Sequence, residues 1–132
     1  MEKLKQFLCE NDYFAKHNGI ELLEVAPGYA KAQLVVQDYH RNGAKIVHGG
    51  AIFTLADFAF AAASNSRGRI AVGINATVVY MEAIRSGILI AEAKESSLNY
   101  KLGHYVVNIV NDENSLVATF QGTAYRKSVL LL

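Results

Sequence analysis

The sequence is poor in cysteine, in net charge and in long apolar runs. Its single cysteine, Cys9, excludes an internal disulfide and fits a reducing cytoplasm. Thirteen Lys and Arg residues oppose twelve Asp and Glu residues, so charge gives no reason to expect a nucleic acid or an anionic membrane as a partner. No apolar run reaches the roughly 18 residues that span a bilayer. The N-terminal segment also lacks the apolar core and cleavage site of a signal peptide. We therefore expect a cytoplasmic protein.

Several common catalytic motifs are absent as well. The sequence has no G-x-S-x-G nucleophile elbow, no Walker loop and no dinucleotide fingerprint. Its four histidines are far apart in the chain and there is no cysteine cluster, so we expect no metal site and no cofactor. Nothing near Cys9 would activate its thiol, and we interpret it as a small packing residue. The catalytic chemistry that remains for this sequence is attack by a water molecule with the assistance of a carboxylate.

The composition predicts one domain covering residues 1–132, with part of its surface covered by another chain. Domains most often contain about 100–150 residues. Hydrophobic residues make up 52% of the chain and charged residues only 19%, which is apolar for a small protein.

The pattern of apolar residues predicts an α+β fold. Residues 2–18 form one or two helices, and two strands flank the turn Pro27-Gly28. A polar loop with the turn Asn42-Gly43 precedes a long apolar helix, roughly Gly50 to Ser66. Strands follow at about 70–83, 87–97, 103–111 and 115–126, the last three as an antiparallel meander. The simplest arrangement wraps a curved antiparallel sheet around the single apolar helix.

The long helix contains one carboxylate, Asp57, in an otherwise apolar run. A helix that is apolar on all sides is normally buried, and burial of an unpaired carboxylate is costly. Small and polar residues at spacings of four and three form one stripe of this helix, which we call the small-residue stripe: Gly50, Thr54, Asp57, Ala61 and Ser64. Such a stripe allows a symmetry-related copy of the helix to approach closely. A buried acid satisfied by hydrogen bonds, or one exposed at the rim, is the alternative interpretation.

The segment "NGAKIVHGG" places two glycines, Gly49 and Gly50, at the start of this helix. Backbone N–H groups there can approach a ligand closely, and the helix dipole favours negative charge at this end. Such a site would stabilise the oxyanion formed when a carbonyl is attacked. Gly49 and Asp57 are about 12 Å apart along the axis at 1.5 Å per residue, too far for one acyl group to touch both. Two antiparallel helices across a two-fold axis would bring Asp57 of one copy to Gly49 of the other.

The stretch "N-G-x-x-x-x-H-G-G-x-x-x-x-L-A-D-x-A-F-A-x-A-x-N-S" resembles the hotdog-fold acyl-CoA thioesterases of the phenylacetic acid degradation type, within the 4-hydroxybenzoyl-CoA thioesterase superfamily. The resemblance implies a hotdog fold and hydrolysis of an acyl-CoA to a free acid and CoA. Asp57 would be the general base or the nucleophile, and Asn42 would hold the attacking water. The Gly49 N–H would polarise the thioester carbonyl, and His48 would shape the loop and contribute to the pocket. A direct catalytic role for His48 and a structural one, as a loop histidine bonded to backbone, are both open. Asn65 and Ser66 are assigned to helix capping.

The resemblance also suggests how the substrate is held. Gly50 and Thr54 would contact it, the pantetheine arm would lie along Tyr80, and Asn75 would replace a Ser or Thr that relatives place on the strand after the helix. Phe58 and Phe60 would line an acyl pocket for an aromatic group such as phenylacetyl, or for a medium-length chain. The CoA phosphates should meet basic residues at the mouth of the tunnel, and the candidates are Arg67, Arg69, Arg85, Lys94, Lys101 and Arg126.

Departures from the family pattern affect one turn. Relatives often carry "Y-x-x-P" and "G-D" where this sequence reads "YMEAIRSGIL", so any ligand contact made by that turn is open. The family commonly forms a tetramer of two dimers, and we expect a homotetramer. The alternatives are a non-catalytic acyl-CoA-binding module and a hotdog enoyl-CoA hydratase or dehydratase.

Overall fold

The computed structural model describes all 132 residues. Its elements, in chain order, are α1 Glu2–Asn11, α2 Tyr13–His17, β1 Ile20–Ala26, β2 Tyr29–Val35, a 3-10 turn Asp38–His40, α3 Gly49–Asn65, β3 Arg69–Tyr80, β4 Ile88–Leu98, β5 Leu102–Val110 and β6 Leu116–Leu130. The six strands form one antiparallel sheet in the order β1-β2-β4-β5-β6-β3. The predicted α+β class is confirmed, and α3 begins and ends one residue earlier than the pattern suggested.

Helix α3 packs closely on the sheet because small residues meet across the contact. The sheet contributes fully buried alanines from β2, β4 and β6: Ala30, Ala32, Ala91, Ala93, Ala118 and Ala124. One large ring, Phe60, fills the remaining space and packs edge-on against Tyr105, with ring centroids 5.7 Å apart. A Cβ at Gly73 or Gly122 would lie 2.9 Å from this ring. Phe60 is therefore a core residue, and the expectation that it lines an acyl pocket is wrong.

Strand β3 lies at the edge of the sheet, beside β6. The sequence correctly predicted that β4, β5 and β6 are consecutive antiparallel neighbours, but it gave no position for β3. The predicted strand over 70–83 ends at Tyr80 because the chain then turns toward the loop before α3. The Met81 N–H donates to the Val117 carbonyl at 2.8 Å, and the Ile84 carbonyl accepts from the Val47 N–H at 2.7 Å.

The N-terminal segment forms two helices because Asp12 interrupts them. Its carboxylate accepts a hydrogen bond from the Ala15 N–H at 3.0 Å and so caps α2. Leu4 is the buried residue of α1, and Cys9 lies on the exposed side of that helix. The interpretation of Cys9 as a packing residue is therefore wrong.

The end of α3 is fastened by Asn65 and Ser66, as expected for capping residues. The Asn65 amide donates to the Ala61 carbonyl at 2.8 Å, and its Oδ1 accepts from the Ala71 N–H at 2.9 Å. Ser66 Oγ accepts from the Gly28 N–H in the β1–β2 turn at 2.8 Å. These bonds fix the C-terminal end of α3 against β3 and against the β1–β2 turn. None of the helices combines the length and the apolar character needed to cross a membrane.

Candidate active site

His48 caps the N-terminus of α3. The Nδ1 atom of its ring accepts a hydrogen bond from the Gly50 N–H at 2.7 Å. The backbone N–H of His48 donates to the His40 carbonyl at 2.7 Å. A Cβ on Gly50 would lie 2.9 Å from His48 Nδ1, so this close approach requires glycine. The ring thus shapes the loop, and the Nδ1 acceptor role assigns the proton of the neutral ring to Nε2.

Gly49 presents a free N–H beside Tyr80. The Tyr80 hydroxyl donates to the Gly49 carbonyl at 2.9 Å, which fixes the helix start against the end of β3. The Gly49 N–H takes part in none of the hydrogen bonds of the chain, as is usual for the first turn of a helix. Gly49, Tyr80, Ile52 and Asn42 share one cleft of about 320 Å³. The fold therefore brings three predicted site residues, Asn42, Gly49 and Tyr80, together from separate segments.

Asn42 organises the loop that forms one wall of this cleft. Its Oδ1 accepts hydrogen bonds from the Ala44 N–H at 2.9 Å and from the Ile46 N–H at 3.4 Å, and Lys45 adopts a φ of +62°. The side-chain carbonyl is therefore used by the turn. The Nδ2 amide donates no hydrogen bond within the chain. Asn42 thus combines a role in the turn with a free donor beside the cleft.

Asp57 lies on the solvent side of α3. In the single chain it is exposed, as is Gly50, and Thr54 is half-buried, so most of the small-residue stripe faces outward. Because the predicted burial of Asp57 is against a second copy of α3, its exposure in one chain leaves that burial a prediction. Its pKa is nevertheless above the usual range, because surrounding protein atoms partly desolvate the carboxyl and, to a smaller extent, because Asp12 carries a nearby negative charge. The Thr54 hydroxyl donates to the Gly50 carbonyl at 2.7 Å.

The single chain does not unite Asp57 with the helix start. Asp57 is not among the residues that line the cleft around Gly49, and the helical rise separates the two by about 12 Å. His48, Gly50 and Thr54 line a neighbouring cleft of about 440 Å³. The predicted site is thus divided along one helix.

Phe58 and Asn75 lie in two further places. Phe58 is only 4% exposed and forms part of a cleft of about 370 Å³ beneath α1 and α2. Asn75 pairs with Thr123 of β6, while the neighbouring pair Ala76 and Gly122 faces α3. Because paired residues share a face and neighbours alternate, Asn75 lies on the sheet face opposite α3. The chain alone does not bring Asn75 to the other predicted site residues.

Most of the basic residues considered for the CoA phosphates already have partners. Arg67 makes a two-point contact with Glu95 at 2.9 and 3.1 Å. Arg69 donates to three backbone carbonyls and lies 4.3 Å from the centre of the Tyr100 ring. Arg126 donates to a backbone carbonyl, and Lys94 lies 3.5 Å from a Glu92 oxygen. Arg85 and Lys101 make no ion pair within the chain.

Two aromatic residues near the helix start were not predicted. Phe14 and Tyr39 are exposed, at 66% and 67%, and line the same cleft as His48 and Thr54. They come from α2, which two strands separate from α3 in the sequence, and from the 3-10 turn, which lies on the other side of the polar loop before α3. No local motif could have indicated that they lie beside the site.

Comparison with known proteins decides the family. The model of the family described as "Thioesterase superfamily" matches residues 44–118, which include the helix start and all of α3. The chain belongs to this superfamily. The family and the hotdog architecture expected from the sequence are thereby confirmed.

Individual relatives agree with this assignment over nearly the whole chain. A protein of Archaeoglobus fulgidus is 42% identical over 127 residues, which cover 96% of this chain and 82% of that protein. The acyl-coenzyme A thioesterase PaaI of Escherichia coli is 36% identical over 120 residues, covering 90% and 86% of the two chains. The solved structure of E. coli PaaI, from the phenylacetic acid degradation operon, superposes with a TM-score of 0.93. That superposition covers 97% of this chain and 94% of the other at 32% identity.

Proposed function

We propose that this thioester hydrolase of the thioesterase superfamily cleaves acyl-CoA to a free acid and CoA at two equivalent sites of a homodimer. The observation that carries the proposal is the division of the site along α3. A free N–H at Gly49 and a carboxylate at Asp57 lie on one helix, too far apart for a single thioester to reach both. A second copy of α3 running antiparallel supplies the missing half to each.

Two surfaces of the chain support this dimer. The small-residue stripe lets two α3 helices approach across a two-fold axis. Strand β3 is a 12-residue edge strand whose outer backbone groups are unpaired. It exposes apolar side chains at Val72, Ile74 and Val79. Antiparallel pairing of β3 with its own copy would continue the sheet across the same axis. The tetramer of two such dimers and the cytoplasmic location remain predictions.

The chemistry follows from the charges at the two ends of the site. Asp57 removes a proton from a water molecule, which attacks the thioester carbon, and the carbonyl oxygen becomes an oxyanion. The Gly49 N–H of the facing helix donates to that oxyanion, with the helix dipole behind it. The C–S bond then breaks, and the CoA thiolate takes the proton. A raised pKa makes the Asp57 carboxylate a stronger base. Direct attack by Asp57, giving an anhydride that water cleaves, is the alternative sequence of steps.

The remaining predicted residues receive roles in the same site. The free Nδ2 of Asn42 would hold the water, and the bond between His48 and the Gly50 N–H supports a role for His48 in keeping the helix start in position. The pantetheine arm would lie along Tyr80, and the acyl group would contact Phe58. The E. coli relative is named an acyl-coenzyme A thioesterase, which supports the substrate class. The acyl group is proposed to be aromatic, such as phenylacetyl, or of medium length.

Thiol release from a panel of acyl-CoA esters tests the proposal, with the variant Asp57→Asn as the decisive comparison. We expect kcat to fall by about 10²- to 10⁴-fold, the usual contribution of a general base. Asp112→Asn, an exposed acid in the β5–β6 turn, is the matched control and should retain full turnover. Activity of Asp57→Asn close to that of the wild type would refute the proposal. Binding of CoA esters without thiol release would indicate a binding module, and hydration of an enoyl-CoA would indicate a hydratase.

The same variant separates catalysis from folding. Because the pKa of Asp57 is raised by desolvation and by Asp12, its ionised form is disfavoured in the folded chain. The free energy of unfolding is therefore higher at low pH, where Asp57 is protonated, and it decreases as the pH rises through the raised pKa. At neutral pH, Asp57→Asn should leave the free energy of unfolding unchanged or increase it. A loss of activity accompanied by unfolding would not support a catalytic role.

A further inference from the structure

We propose that the acyl group of the substrate enters the cleft between α1, α2, β1 and α3, and that Asp12 at its rim excludes acyl groups that carry a carboxylate. This inference rests on the proposed function and names the substrate class of that same site. We call this space the N-terminal cleft. It is lined by Leu8, Cys9, Asp12, Ala15, Leu22 and Phe58, among others.

The cleft has the size and the surface of a binding site for hydrocarbon. Its volume is about 370 Å³, and most of its lining is hydrophobic. Small-ligand sites are usually apolar clefts of about 300–1,000 Å³ with a few polar groups at their edges. Phe58, whose side chain is almost fully buried, forms the base of the cleft on α3. Leu8 and Cys9 of α1 form the opposite wall.

The position of Asp57 connects this cleft to the reaction. Phe58 follows Asp57 on α3, so the two side chains leave the helix about 100° apart, as its 3.6 residues per turn require. Asp12 lies in the wall of the cleft and is also close enough for its charge to act on Asp57. From this adjacency and this charge interaction we place the acyl substituent of a thioester held at Asp57 at the opening of the N-terminal cleft.

The charges around the cleft favour a neutral acyl group. Asp12 and Glu21 contribute two carboxylates, and Lys16 is the one cation among the lining residues. An acyl chain that ends in a carboxylate would meet a net negative rim, where two carboxylates outweigh Lys16, and would lose part of its hydration there. The free acid formed by hydrolysis is itself an anion beside Asp57 and Asp12. Repulsion from them should favour release of the product.

The occupant is the acyl group and not the CoA moiety. Three phosphate charges on CoA require arginine or lysine contacts, and the N-terminal cleft offers only Lys16 against two carboxylates. A hydrocarbon chain or an aromatic ring requires only the apolar wall and base. The cleft therefore sets the length and the charge of the acyl group that the enzyme accepts.

Filling the cleft from its exposed wall is the first test. In Cys9→Phe, the ratio of kcat/KM for octanoyl-CoA or phenylacetyl-CoA to kcat/KM for acetyl-CoA should fall about tenfold or more, since loss of space in an apolar pocket acts on bulky substrates. Glu10→Phe adds the same ring to the next residue of α1, which does not line the cleft, and should keep the wild-type ratio. If kcat/KM in Cys9→Phe changed by the same factor for octanoyl-CoA, phenylacetyl-CoA and acetyl-CoA, the inference would be overturned.

Alkylation of Cys9 in the Asp57→Asn protein provides a second measurement that does not depend on how Cys9→Phe folds, and it avoids release of the CoA thiol that would consume the reagent. Cys9 is the single cysteine, so a thiol reagent modifies one position. Octanoyl-CoA should slow the modification of Cys9 and acetyl-CoA should do so much less. Equal rates with and without octanoyl-CoA would overturn the inference.

Asp12→Asn tests the charge while preserving the structure, because asparagine also caps a helix. The kcat/KM for succinyl-CoA relative to butyryl-CoA should rise about tenfold, the scale expected when a like charge is removed. An unchanged ratio would refute the role of Asp12. Absence of thiol release from every ester by the wild type would refute the proposed function itself, whereas release with unaltered selectivity in these variants would refute the cleft alone.

Discussion

The contact between Gly49 and Tyr80 is a close one within the candidate site, and Gly49→Ala tests its importance. A Cβ at Gly49 would lie 3.1 Å from Tyr80 Cζ and 3.3 Å from the hydroxyl oxygen, which is closer than ordinary van der Waals contact. The hydrogen bond of 2.9 Å from the Tyr80 hydroxyl to the Gly49 carbonyl opposes separation of the two residues. The added methyl group must therefore move the ring or the start of α3.

Stability and activity should respond differently to this methyl group. Alanine in a helix is favoured over glycine by up to about 1 kcal/mol. The close contact costs about 1–3 kcal/mol in a rigid core and less here, because the Tyr80 side chain is 47% exposed and can move. The two effects nearly cancel, and the free energy of unfolding should change by less than about 1 kcal/mol. Displacement of the Gly49 N–H by a few tenths of an ångström should lower kcat by about tenfold to a hundredfold.

The assay is thiol release at saturating acyl-CoA, paired with denaturant unfolding of the same preparations. Gly43→Ala is the matched control, since a Cβ there meets nothing within 4 Å. Adding Gly49→Ala to Tyr80→Ala, where the ring is gone, should cause little further loss of kcat. If Gly49→Ala keeps the wild-type kcat, or if its loss is the same in both backgrounds, the role assigned to this amide is wrong.

The sequence predicted the central helix well because its signals are local. The capping residues Asn65 and Ser66 and the helix start at His48-Gly49-Gly50 each act over one helical turn, and α3 was predicted to within one residue. The separation of Gly49 from Asp57 follows from helical rise alone. The proposal of a second copy therefore rests on a distance that the sequence alone supplies.

The features that the sequence did not predict correctly depend on contacts between segments that are far apart in the chain. The position of β3 beside β6 depends on pairs that range from Tyr80 with Ala118 to Arg69 with Leu130, separations in the chain that no local pattern encodes. The register of these strands shifts between Gly73 and Asn75, and such a bulge changes the alternation from which the face of Asn75 would be read. Cys9 was misplaced because the pattern of α1 does not say how much of that helix the sheet covers.

Two further variants test the supports of the site at opposite ends of α3. His48→Ala removes the bond that Nδ1 accepts from the Gly50 N–H at 2.7 Å and should cost about 0.5–2 kcal/mol in denaturant unfolding, while His48→Asn should recover most of it. At the other end, desolvation raises the pKa of Glu95, but hydrogen bonds from Arg67 and Tyr105 together outweigh it and hold the pKa below its usual range. A lowered pKa stabilises the fold above the unfolded-state value, and this contribution is lost as the pH falls through the lowered pKa. Unfolding free energies measured from neutral to acidic pH should therefore decline in the wild type and decline less in Glu95→Gln, because the glutamine has no charge to lose. Equal slopes for the two proteins would show that this carboxylate does not couple the fold to pH.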